Sequence, residues 1–297
     1  MKNSTIPPDH PSVALSATDT NSSAFHDIYS QLPHSDSVRI LILLPADDPD
    51  AELQGTLSTT RLSDCQNEDT SYVTLSYVWG QQKHTGLVRI DERYLQIGEN
   101  LFDALRHLRR RDKSLRLWAD ALCINQFNLE ERNHQVQNMR DIYASSTETV
   151  IYLGNDDGGT TNLSAWNLLE RLSIWALNDQ GNKDFDRPSK LQQSLTKFKG
   201  SIEDVEIAVL SQPWFSRVWV LQEVVVSKAV SIQCGPRGIP WNDFCKIILL
   251  QPRSENELIQ YKVCSKLDAL TKRPIISYTS DLNGTPKFQI LGIKVTM

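Results

Sequence analysis

SLRLWADALCINQFNLEERNHQVQNMRDIYASSTETVIYLG, residues 114–154, decides the fold. SLRLWADALCIN is a short apolar run that reads as a buried strand entering a loop. Asn128, with Glu131 three residues on, resembles a capping box and opens the helix LEERNHQVQNMRDIYAS, where Val136, Met139 and Tyr143 make one apolar face. STETVIYLG then returns as a strand. A strand, a helix and a second strand in this order predict a sheet joined through helical crossovers.

Working outward toward the amino terminus, SVRILILLPA and SYVTLSYVWG read as strands, the second with Tyr72, Thr74 and Ser76 alternating with Val73, Leu75 and Tyr77. LVRIDERYLQIG predicts a hairpin around Asp91-Glu92. Asn100 is expected to cap LFDALRHLRRR, whose Leu101, Ala104, Leu105 and Leu108 follow helical spacing. Toward the carboxyl terminus come the loop GNDDGGTTN, the helical stretches NLSAWNLLERLSIWAL and KLQQSLTKFKGSIEDVEIAVL, the helix PWFSRVWVLQEVVV and the strand AVSIQCG. The alternation predicts an α/β fold. Its sheet is expected to be largely parallel and flanked by helices, with an extra hairpin and helical insertions, and its ligand-facing groups to gather beyond the strands' carboxyl ends.

Residues 1–35 are rich in Ser, Thr, Asp and Pro without periodicity, which predicts a disordered tail. Residues 36–255 form the expected domain. Residues 256–297 read as a divergent extension whose short apolar runs fit no pattern in the preceding core.

Composition removes several function classes. The net charge of -5 is of mixed sign, and the basic cluster Arg109-Arg110-Arg111 with Lys113 suits a helix terminus, so nucleic-acid binding is not expected. Cys65, Cys123, Cys234, Cys245 and Cys264 are odd in number and lack C-x-x-C spacing, which points to no disulfide framework and no metal site. With no apolar signal region at the start and no run of membrane-spanning length, a cytoplasmic chain is expected. No P-loop, G-x-G-x-x-G, H-E-x-x-H or G-x-S-x-G occurs. Cys123 with His134 reads better as a buried thiol than as a nucleophile and its base. Asp156 and Asp157 lack the ligand spacing of a calcium loop.

Glu223 is the residue that composition does not explain, because PWFSRVWVLQEVVV surrounds a carboxylate with apolar side chains. On a continuous helix, Trp214, Val218, Leu221 and Val225 share one face while Trp219 and Glu223 share the next stripe, which places the acid at the margin of a cleft. Arg217, six residues away, would lie on another face. Glu223 then either serves chemistry or bonds a group from another segment to order the core. Asp120, at the carboxyl end of a buried strand, either faces a ligand or bonds loop amides such as that of Cys123. Tyr77, Trp79 and Gly80 close the first strand, where an aromatic could stack on a flat ring or pack in the core. Glu131, Arg132 and Gln135 read as cap and surface residues, with Arg132 a candidate partner for Asp120 or a phosphate.

Three blocks carry a family likeness: Y-x-x-L-S-Y-x-W-G at 72–80, L-W-x-D-x-L-C-I-x-Q with E-R-x-x-Q-x-x-x-M-x-x-I-Y within 117–143, and R-x-W-x-x-Q-E at 217–223. In order and approximate separation they resemble the fungal heterokaryon incompatibility (HET) domain over about residues 37–250. That resemblance implies a cell-death effector in nonself recognition. The blocks are in turn similar to the boxes of TIR domains, and Trp219 with Glu223 resembles the TIR W-x-x-x-E, whose Glu cleaves the nicotinamide glycosidic bond of NAD. The likeness therefore implies a TIR-like fold, Glu223 as the catalytic residue, NAD as a substrate rather than a cofactor, and activation by self-association or a separate sensor protein. Where TIR domains carry R-D-x-x-P-G, this chain has Phe127-Asn128-Leu129-Glu130, which leaves a non-enzymatic, oligomerising interaction module as the alternative.

Overall fold

The computed structural model describes residues 28–65, 67, 69–79, 85–155, 159–178, 204–217, 220–249, 277–280 and 286–289. At its centre the expected strand–helix–strand unit is present. Strand β1 (Ser37–Leu43), β2 (Leu53–Arg61), β3 (Val73–Tyr77), β4 (Thr85–Ile90) and β5 (Arg93–Gly98) precede helix α1 (Glu99–Leu108). Then follow β6 (Leu115–Trp118), the short α2 (Asp120–Cys123), α3 (Leu129–Ser145), β7 (Glu148–Tyr152) and α4 (Thr160–Asn178). A 3-10 turn over Pro213–Ser216 leads to α5 (Val220–Val225), β8 (Val230–Cys234), β9 (Arg237–Pro240) and α6 (Trp241–Leu249).

Nine strands form one sheet in the order β5-β4-β2-β1-β6-β3-β7-β8-β9. The fold is α/β, but the sheet is mixed rather than largely parallel. The pairs β3/β6, β3/β7, β7/β8 and β2/β4 run parallel, whereas β1/β2, β1/β6, β4/β5 and β8/β9 run antiparallel. Connection length accounts for the hairpins, since the two-residue links at Asp91-Glu92 and Gly235-Pro236 allow only antiparallel return. The hairpin at Asp91-Glu92 falls where the sequence places it, with Asp91 at φ 54°.

The parallel block β6-β3-β7-β8 positions the site. Helix α3 carries the chain from β6 across β3 to β7, so the carboxyl ends of all four strands lie along one sheet edge with that of β3 between two others. The register pairs Thr74 with Trp118 and with Thr149, and Tyr77 with Tyr152. One core gathers β1, β3, β6, α1 and α3 around Trp118 and Tyr143; a second gathers Trp166, Trp214, Trp241 and Phe244 around α4 and α6.

Several local expectations change. Helix α1 starts at Glu99 with Gly98 as its N-cap, and Asn100 instead donates from its side chain to the Val78 carbonyl at 3.0 Å. Asn128 caps α3 as expected, accepting from the Glu131 amide at 3.0 Å. The Glu131 carboxylate, however, accepts from the Asn125 amide at 2.8 Å and pairs with buried Arg39, Nη2 to Oε2 being 3.0 Å. Gln135 is fully buried and donates to the Ser37 carbonyl at 2.9 Å. These two α3 residues therefore clamp β1 to the helix and are not surface groups.

The segment 28–35, placed by composition in the tail, makes contacts with the core. Tyr29 donates to the Leu122 carbonyl at 3.1 Å, its ring lies 5.1 Å from the Arg39 guanidinium, and Ile28 packs against the first core. The Ser35 carbonyl accepts from Asn138 at 2.8 Å and lies 2.7 Å from His134 Nε2. At the other end, within the extension that the sequence leaves unassigned, β10 (Ser277–Ser280) and β11 (Pro286–Gln289) form a separate antiparallel pair. Among the described residues no helix is long and apolar enough to cross a membrane.

Candidate functional site

Ser76 and Tyr77 end β3, Asp120 follows β6, and α5 brings Glu223 against them. The expected continuous helix from Trp214 to Val225 does not form. The 3-10 turn begins at Pro213 and stops at Ser216, and Arg217 is extended at φ -70° and ψ 141° before α5 starts at Val220. That break lets a residue six positions earlier fold back. Arg217 donates Nη2 to Glu223 Oε1 at 3.1 Å and Nη1 to Oε2 at 3.5 Å, an arrangement an unbroken helix would forbid.

Glu223 is 1% exposed, so it sits inside the core and not at the lip of a cleft. Ser76 donates its hydroxyl to Glu223 Oε2, and the Trp214 indole donates to the Ser76 oxygen at 2.7 Å. Because an indole N–H is a donor only, it fixes the Ser76 proton toward the carboxylate. All three side-chain donations therefore point at Glu223. Burial raises its pKa above the ordinary carboxylate value, opposed by Arg217 and Ser76 and reinforced by Asp120.

Asp120 forms the second half of the cluster. Its Oδ2 accepts from Trp79 Nε1 at 2.9 Å, its Oδ1 from the Ala121 amide at 2.8 Å, and Tyr77 hydrogen-bonds the same carboxyl. Burial raises its pKa too, with Arg217 the leading opposing influence. One guanidinium therefore faces two carboxyl groups, Glu223 fully buried and Asp120 half-buried. The Tyr143 hydroxyl donates to the Leu75 carbonyl at 3.3 Å, its ring edge meets Trp118, and its phenol is pushed well above the usual value by burial beside both acids.

The blocks that meet here are those of a known family. Residues 72–223 match the family model described as heterokaryon incompatibility protein (HET), a span that opens at Tyr72 and closes at Glu223. The chain belongs to the HET family. Heterokaryon incompatibility protein 6, OR allele, of Neurospora crassa is 29% identical over 73% of this chain and 36% of its own length. The chain thus spans about a third of the curated relative it matches. No solved structure matches it significantly.

Of the residues expected at the HET site, the structure brings together Glu223, Asp120, Tyr77 and Trp79. Tyr77 and Trp79 spend their polar groups on Asp120. The amide that Asp120 engages is that of Ala121; the Cys123 amide donates to Ala119. Gly80 and Trp219 lie outside the described residues, as do Asp156 and Asp157. Arg132 sits in the first turn of α3 with its amide on the Asn128 carbonyl, and the cation facing Asp120 is Arg217. Cys123 is buried and its thiol is pushed up to about 12, while His134 is engaged with Ser35, so the pair forms no nucleophile and base.

Ser76, Trp214, Arg217 and Tyr143 are the members that residue-by-residue reasoning misses. Ser76 and Arg217 stand inside the family blocks L-S-Y-x-W-G and R-x-W-x-x-Q-E, the signal available for them. Trp214 stands beside Pro213, which marks a turn start as readily as a helix start.

Proposed function

We propose that this HET-family chain is a cytoplasmic cell-death effector in nonself recognition that acts by TIR-like hydrolysis of NAD, with Glu223 as the catalytic carboxylate. One observation carries the reading: at the carboxyl ends of parallel strands, a buried carboxylate is aimed at by three donors and has a second carboxyl, Asp120, beside it. Arg217 and Ser76 favour its charged form against the burial that raises its pKa, and in that form the carboxylate suits stabilising positive charge at a ribose C1′. In the step envisaged, the bond from C1′ to the pyridinium nitrogen breaks and nicotinamide leaves neutral with the bonding pair. Water then bonds to C1′ and loses a proton. No Ser or Cys nucleophile is required.

The test is expression of the chain in yeast, with NAD content and viability followed for wild type and Glu223→Gln. NAD should fall with wild type and stay level with the variant. Killing with unchanged NAD refutes the enzyme.

A second reading, a non-enzymatic module that oligomerises or is engaged by a separate sensor protein and recruits a death effector, is favoured by the closure of Glu223 behind Arg217. It predicts that Glu223→Gln kills as efficiently as wild type.

A further inference from the structure

We infer that Arg217 is a specificity residue that recognises the 5′-phosphate of the nucleotide substrate, so that the site takes phosphorylated N-glycosides in preference to unphosphorylated ones. This deepens the NAD reading and rests on it for the ribose. The guanidinium meets Glu223 end-on, through one N–H from each of Nη1 and Nη2. Of its five N–H groups, three remain, including the Nε edge, and among the described residues these have no acceptor.

Exposure gives the free edge a direction. The Arg217 side chain retains 23% of its surface and Glu223 2%, so within the pair the arginine is the member that solvent reaches. A side-on fork of Nε–H and Nη–H is suited to bidentate binding of a phosphate. A planar guanidinium held on one edge by a buried carboxylate is pre-oriented to offer the other edge, with little rotamer freedom left to lose.

The same geometry sets the substrate class. An anion on one side of Arg217 and the carboxylate on the other are separated by a single guanidinium width. A ribose likewise separates its 5′-phosphate from C1′, so phosphate on Arg217 would direct C1′ toward Glu223. Arg217 thus both anchors the ligand and orients the acid. A bare nucleoside would lack the anchor.

Binding of inert probes reads this without turnover. Calorimetry with ribose 5-phosphate and with ribose should show wild type preferring the phosphorylated sugar by about tenfold or more, the size of one good charge-assisted contact. Glu223→Gln should keep that preference, since the phosphate edge is untouched, and Arg217→Gln should abolish it. Should Arg217→Gln fail to fold, the double variant Arg217→Gln with Glu223→Gln removes the isolated buried charge and takes its place in the same titration. A wild type that binds neither sugar or both equally, or a preference surviving the loss of Arg217, overturns the inference. NAD consumption that persists alongside such a result would leave the hydrolase reading standing.

Discussion

Replacing Arg217 with Gln should destabilise the chain in a way that fades as the solution is acidified. Removing one partner of a buried pair costs about 3–5 kcal/mol because the other charge is left uncompensated. Arg217 is 23% exposed, so the lower end applies, about 3 kcal/mol, which for a domain of this size lowers Tm by roughly 6–12 °C. The pH dependence follows from Glu223. Its folded pKa is raised above the unfolded one, so the folded state holds the proton longer and stability falls as pH rises through the window between the two values. Asp120 contributes in the same direction. Arg217 is the largest influence narrowing that window for both acids, and its loss moves the upper limit higher. Thermal denaturation of wild type and variant from pH 8 to pH 5 should therefore show a gap that is widest at pH 8 and closes toward pH 5. A gap that stays constant with pH, or a variant as stable as wild type at pH 8, would refute the buried-pair argument.

Two further perturbations probe the supports of the same edge. Ser76→Ala leaves the Trp214 indole N–H buried without its acceptor and removes one donor from Glu223; a cost of about 1–3 kcal/mol is expected, and adding Trp214→Phe should cost less in that background than in wild type. Equal effects of Trp214→Phe in both backgrounds would break the proposed chain of bonds. A chain beginning at residue 37 should melt below one beginning at residue 28, by roughly 5–10 °C, because Tyr29 and Ser35 lose their bonds to the core and Arg39 loses the Tyr29 ring. Equal melting temperatures would restore the composition-based tail boundary at residue 35.

The legible part of the fold was the part whose hydrophobic pattern has one period. The unit from β6 through α3 to β7 follows from alternating or continuous apolar runs around a capped helix, and the β4–β5 hairpin from its two-residue turn. Strand direction was less legible, because a short apolar run looks the same whether its neighbour is parallel or antiparallel. β2 and β9 carry few apolar side chains and are held by pairing: β2 (LQGTLSTTR) lies beside β1 along seven residues, a partnership no local window reveals. The docking of residues 28–35 was hidden for the same reason. Its bonds run largely through carbonyls such as those of Ser30, Ser35 and Leu122, which composition does not register.

The candidate site was legible as a list of acids but not as a circuit. Glu223 and Asp120 stood out because ionisable groups in apolar runs demand an explanation, and Asp120 is in fact close enough to raise the pKa of Glu223 further. What joins them is Arg217, assigned to the wrong face by assuming helix through PWFSRVWVLQE. A helix spacing of six separates two side chains by most of half a turn, whereas here the helical path is broken at Arg217 and the two side chains meet. The deciding feature was therefore the break in the helix at Arg217. Family membership survives such an error because motif identity is independent of it, but mechanism does not: with Arg217 on another face Glu223 would be a lone acid seeking a proton, and with Arg217 against it the ionised form of the same residue has a cationic partner at 3.1 Å that opposes the effect of burial. That difference separates proton donation to a leaving group from electrostatic support of a cationic sugar, and it is why the Arg217 variants, more than those of Glu223 alone, distinguish the possible chemistries of this edge.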